Sequence, residues 1–109
     1  MVDLLDTDKE TLRAYLEGVE DASAFLKGLA NPHRLMVLCL LCDGELSVGE
    51  LEQALDIRQP TLSQQLARLR ADGLVETRRD GKAIYYSLSD ERASSLIASL
   101  QEMFCPPLK

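Results

Sequence analysis

The sequence predicts a mainly α protein with a small β-hairpin, arranged as a single domain over residues 1–109. Three observations predict this class. Apolar residues recur at spacings of three and four through most of the chain. Two short helices joined by a tight turn fit "LSVGELEQALDIRQPTLSQQLARLRADGLV", a helix-turn-helix pattern. Directly after it, "LVETRRDGKAIYYSLS" reads as two short strands around Asp80-Gly81, a hairpin turn pair.

Taken in order, residues from about Asp8 to Leu29 form one long helix, with Thr7 or Asp8 able to cap it and acids in its first turn. Leu12, Tyr15, Leu16, Val19, Ala22, Leu26 and Leu29 make an apolar stripe along it. A stripe on a lone N-terminal helix has to be buried, and a second subunit can do that. Asn31 is a good N-cap for the next helix, with Pro32 at its first position. "LMVLCLLC" is apolar on all sides, which makes that helix central, and Asp43-Gly44 ends it.

Ser47 with Glu50 three residues on makes a capping box for the first helix of the tight pair. Val48, Leu51 and Leu55 face inward from it, and Ile57 anchors the turn. Pro60 opens the second helix, Leu62, Leu66 and Leu69 are its buried stripe, and Gly73 closes it. In the hairpin, Ile84, Tyr86 and Leu88 alternate with Tyr85 and Ser87, as one buried face requires. A final helix runs from about Asp90 to Phe104 with Leu96, Ile97, Leu100, Met103 and Phe104 on its apolar face. It stops at Cys105-Pro106, because the residue before proline is pushed out of the helical region.

Bulk properties narrow the function. An apolar fraction of 46% and a charged fraction of 28% over 109 residues fit one soluble domain with a modest core. No apolar run is long enough to span a bilayer, and "MVDLLDTDKE" lacks the basic-then-apolar order of a signal peptide. The expected location is the cytoplasm, with no membrane partner. Three cysteines in a reducing compartment are not a disulfide scaffold, which leaves redox chemistry, metal binding or packing.

The net charge of −6 argues at first against nucleic acid. Its distribution argues the other way. Between Arg58 and Lys82 the balance is +3, so the rest of the chain carries −9. A local basic surface on an acidic body can still bind phosphate. Opposite the leucines of the second paired helix lie Thr61, Gln64, Gln65 and Arg68, with Ser63 at the edge and Gln59 at the helix start. Gln pairs bidentately with adenine and Arg with guanine, while Ser and Thr suit either. A solvated polar face explains these residues equally well if they are taken alone. The hairpin tips the balance towards double-stranded DNA, because Arg78, Arg79 and Lys82 cluster where a wing meets the phosphate backbone.

The run "LKGLANPHRLMVLCLL…GELSVGELEQAL…TLSQQLARLRADGLVETRRDGKAIYYSL" resembles the ArsR/SmtB family of winged-helix repressors over nearly the whole chain. The resemblance implies a winged helix-turn-helix that forms a homodimer through its first and last helices and binds a palindromic operator. It implies no enzymatic activity and no cofactor. Gln65 departs from the family pattern, in which many members carry histidine.

Members of that family commonly sense metals, but the residue types for the usual sites are missing. The segment "LSVGELE" has no Cys-x-Cys run, and residues 90–104 hold no histidine. The sole histidine, His33, sits at a helix start. Cys39 and Cys42, three apart on one helix, read as small core hydrophobes if taken alone. With "RLMVLC" early and "FCP" at the end of the last helix, however, the chain is similar to the persulfide- and redox-sensing BigR/SqrR/HlyU group. That resemblance implies Cys39 and Cys105 as the sensing thiols and reactive sulfur species as the inducer, with Cys42 as a possible extra thiol.

Three alternatives stay open at the level of sequence. Cys39, Cys42 and Cys105 can form a three-thiolate site for arsenite or zinc. A thiol oxidoreductase using C-L-L-C is disfavoured, since such motifs sit at a helix N-terminus in a βαβ unit. A dimeric DNA-binding protein with purely structural cysteines needs no inducer at all.

Overall fold

The computed structural model of the chain describes residues 6–107. The described residues divide into two compact units, one up to Ala30 and one from Asn31 on. The first holds helix α1 (Lys9–Leu29). Asp8 is its N-cap, and the carboxylate accepts a hydrogen bond from the Thr11 amide at 2.7 Å. Of the expected stripe, Leu29 is buried, while Tyr15, Leu16, Val19 and Leu26 are each about half exposed.

The second unit contains α2 (Pro32–Leu41), β1 (Leu46–Ser47), α3 (Val48–Leu55), α4 (Gln59–Ala71), β2 (Val75–Asp80), β3 (Ala83–Leu88) and α5 (Glu91–Phe104). Asn31 caps α2 by accepting from the amides of His33 and Arg34. Ser47 and Glu50 form the full capping box of α3, each side chain accepting from the other residue's amide. Asp56 ends α3 in the left-handed region, at φ 51°, which a short polar side chain tolerates. That one residue makes the turn into α4 tight. Gly73, at φ 73°, closes α4, and the Leu74 amide reaches back to the Leu69 carbonyl at 2.9 Å.

The core is built from one face of each helix. Val37, Leu38 and Leu41 of α2, Leu51 of α3, Leu62, Leu66 and Leu69 of α4, and Ala93 and Ile97 of α5 are all buried, as are Leu74 and Val75. α2 is central as expected, although Met36 on its outer side is exposed. α2 packs against α3, α4, α5 and β3.

The sheet departs from a simple hairpin. It has three antiparallel strands in the order β1-β3-β2. β3 is central: Leu46 pairs with Tyr86 and Ser47 with Tyr85 on one side, while Arg78 pairs with Tyr85 and Arg79 with Ile84 on the other. β1 has only two residues, too few to show alternation in sequence. The buried face expected of Ile84, Tyr86 and Leu88 is incomplete: Tyr86 and Leu88 are half-buried, but Ile84 is exposed. Ile84 sits beside the Asp80–Ala83 turn, at the tip of the hairpin.

α5 ends as its sequence dictates. Cys105, before Pro106, is extended at φ −115° and ψ 141°, and its amide still closes the last turn on the Gln101 carbonyl at 2.9 Å. Ile97 is buried and Leu96 and Leu100 half-buried, but Met103 and Phe104 are uncovered, Phe104 at 78% exposure. Among the described residues no helix is long and apolar enough to cross a membrane.

Candidate DNA interface and thiol site

α4 sinks three leucines into the core and so turns its opposite side outward. On that side Gln59, Gln64 and Arg68 are exposed, and Thr61, Ser63 and Gln65 are half-buried. Some of these side chains already have partners. The Gln59 amide donates to the Ser63 hydroxyl at 2.9 Å. Arg68 pairs with Asp72 one turn on, at 3.0 Å. Gln65 accepts a hydrogen bond at 3.2 Å from Arg34 of α2. A bidentate contact to adenine needs both the oxygen and the nitrogen of the amide. The Gln65 oxygen is held towards α2 by Arg34, whereas Gln64 is exposed.

On the wing, Arg79 and Lys82 are exposed. Arg78 is exposed too, but it is not a free cation. Its Nε donates to both carboxylate oxygens of Glu45, at 3.0 and 2.8 Å, and one terminal nitrogen binds the same carboxylate. Its guanidinium also lies over the Tyr85 ring, 4.6 Å from the centroid. The Glu45 carboxyl is held below its usual value by the hydrogen bonds from Arg78, and the Arg78 guanidinium is raised in turn. Arg34 and Glu45 lie 31 and 33 residues from their partners, and no local pattern in the sequence announces either contact.

The cysteines lie on two packed helices: Cys39 is on α2, Cys42 ends it, and Cys105 ends α5. All three cysteines are free; Cys39 and Cys42 are half-buried and Cys105 is exposed. Burial pushes the Cys39 thiol above the usual thiol value, and Cys105 is near enough to push it further, while a hydrogen bond from Gln101 opposes both. Burial likewise raises Cys42, helped by the charges of Cys39 and Asp43. Cys39 is thus raised by its neighbour Cys105, and Cys42 by its neighbour Cys39. Gln101 bridges the pair: its side-chain amide donates to the Cys39 carbonyl at 3.5 Å, and its own carbonyl accepts the Cys105 amide. Among the described residues no group of three His, Cys, Asp or Glu is placed to hold a metal ion.

A tight helix pair with an outward polar face, followed by a basic hairpin, is the architecture of winged helix-turn-helix DNA-binding regulators. Residues 31–77 match the family model described as bacterial regulatory protein, arsR family. The chain is 50% identical over 103 residues to the biofilm growth-associated repressor of Agrobacterium fabrum, covering 94% of this chain and 88% of that protein. Among solved structures, reduced HlyU from Vibrio cholerae superposes with a TM-score of 0.83 at 42% identity, covering 87% of this chain and all of that one. The repressor BigR from Xylella fastidiosa gives 0.78 at 47% identity, covering 85% and 92%. The chain belongs to the ArsR family, and it is a DNA-binding transcriptional regulator of the BigR and HlyU type, not an enzyme.

Proposed function

We propose that this protein is a dithiol-based repressor that leaves a palindromic operator when reactive sulfur species modify Cys39 and Cys105. The observation that supports the reading is the packing of α2 against α5, with Gln101 of α5 donating to the Cys39 carbonyl and accepting the amide of Cys105, the two thiols being free. Gln59, Thr61, Ser63, Gln64, Gln65 and Arg68 form the base-reading face, with Arg79 and Lys82 of the wing on phosphate. The exposed apolar faces of α1 and α5 supply the surface of a homodimer, whose two-fold axis spaces the reading helices by about 34 Å.

In the reaction, the thiolate of one cysteine of the pair attacks a polysulfide, forms an S–S bond and expels the shortened chain as an anion. The thiolate of the other cysteine then attacks the first added sulfur and expels the remainder as hydrosulfide. The two thiolates are oxidised by two electrons, and the polysulfide is reduced by two. The product is a bridge containing one added sulfur atom. Such a bridge closes gaps that strain a plain disulfide, whose Cα atoms must lie within roughly 7 Å. Peroxide cannot supply the extra sulfur.

The test measures the affinity of reduced and polysulfide-treated protein for a duplex selected from a random pool by the reduced form. Wild type loses roughly 5- to 150-fold in affinity on treatment, the usual span of allosteric coupling. Cys105→Ser loses none, Cys42→Ser responds like wild type, and intact mass shows the added sulfur. Equal loss in Cys105→Ser sinks the dithiol reading.

A further inference from the structure

Glu45 immediately precedes β1, the short outer strand of the sheet, and Arg78 lies on β2 at the other side. β3 runs between them, so the two backbones are about two strand spacings apart, roughly 10 Å. Arginine and glutamate side chains together span that distance over the ring of Tyr85, which pairs directly with both Ser47 and Arg78. The contact thus uses a long cation, a carboxylate and an aromatic platform in one cross-strand row. With Nε on one carboxylate oxygen and a terminal nitrogen on the other, it has the planar two-point geometry by which an arginine grips a phosphate.

We infer that Glu45 is an affinity-setting residue for DNA: its carboxylate occupies Arg78 in place of a backbone phosphate and ties the wing to the segment that follows α2. The inference rests on the DNA-binding part of the proposed function and is independent of the thiols. Arg78 side-chain exposure is 54% and that of Glu45 38%, so the pair is reachable by solvent and by a duplex and contributes little to the fold. Its effect falls on DNA binding. A phosphate approaching Arg78 meets the charge of Glu45 at the same moment, and an arginine already neutralised releases no counterion from the duplex. The working cations of the wing are then Arg79 and Lys82.

The experiment is the slope of log affinity against log salt for four proteins: wild type, Glu45→Gln, Arg78→Gln and the double variant. Each is titrated on the duplex selected by wild type. Glu45→Gln frees Arg78 for phosphate and steepens the slope by about 0.9 for each protomer bound. Between 50 and 200 mM salt its affinity therefore falls about 3.5-fold further per protomer than that of wild type. Arg78→Gln leaves the wild-type slope in place, and the double variant returns to it. The inference is overturned if Glu45→Gln leaves the slope unchanged, or if Arg78→Gln alone flattens it by about 0.9 per protomer. Lys82→Gln separates this failure from that of the wing reading as a whole, because a wing on phosphate loses slope in that variant whatever Glu45 does.

Discussion

Cys39 illustrates how little a residue's chemistry follows from its type. Partial burial and a neighbouring thiol each disfavour the thiolate, and both influences act on Cys39. At neutral pH its thiolate fraction therefore lies below that of a free cysteine. Its alkylation by iodoacetamide is expected to rise with pH through values above the ordinary thiol range, with a midpoint displaced upward from that of unfolded protein. Gln101→Leu removes the one influence that opposes the shift, so it moves the midpoint further up and slows alkylation at pH 7. An unshifted midpoint in Gln101→Leu would mean that the amide contributes only packing. The sequence pointed to Cys39 and Cys105 through resemblance, and their positions near helix C-termini already disfavoured a thiolate. It gave no hint of Gln101, because 62 residues separate that side chain from the carbonyl it holds.

Elements were far more legible than contacts. The capped starts of α1, α2 and α3, the proline-led start of α4 and the stop of α5 before Pro106 are all local chemistry, and the sequence shows each one. β1 was hidden because its two residues pair with Tyr85 and Tyr86, some 40 positions away, and carry no period of their own. For the same reason Gln65 looked like a free reader until Arg34 was found on its oxygen. Ser47 shows an element built on a single side chain, since it is both the last residue of β1 and the N-cap of α3. Ser47→Ala should cost about 1 kcal/mol of unfolding free energy, the usual value of such a cap, and urea denaturation measures it. A change within a few tenths would show that the Glu50 half of the box suffices alone.

At the scale of the molecule, the exposed apolar surface is the largest feature that one chain leaves unexplained. On α1 the residues Tyr15, Leu16, Val19 and Leu26 are uncovered, at spacings that place them along one helix face, and on α5 Met103 and Phe104 are uncovered as well. Wild type is expected to sediment at twice the chain mass of 12.1 kDa. Leu16→Glu combined with Phe104→Glu should shift it to the single-chain mass, and operator affinity should fall in parallel. Wild type sedimenting as a single chain would remove the dimer from the proposal. Fold class and helix order were readable because periodicity and caps are properties of neighbours in sequence. The uncovered faces were readable only in part, since the stripe on α1 was plain but the degree to which a single chain leaves Phe104 bare was not.

The two-residue strand has a mechanical consequence. Because Ser47 belongs at once to the sheet and to the start of α3, the wing and the helix pair share a covalent joint with no slack between them. The Glu45 contact fastens the same joint from the far edge of the sheet. A reader built this way couples helix and wing through one residue, so a shift of α3 carries the edge of the sheet with it. In the proposed dimer, modification of Cys39 and Cys105 is then expected to act on the spacing between two such readers, like a change of gauge between a pair of wheels.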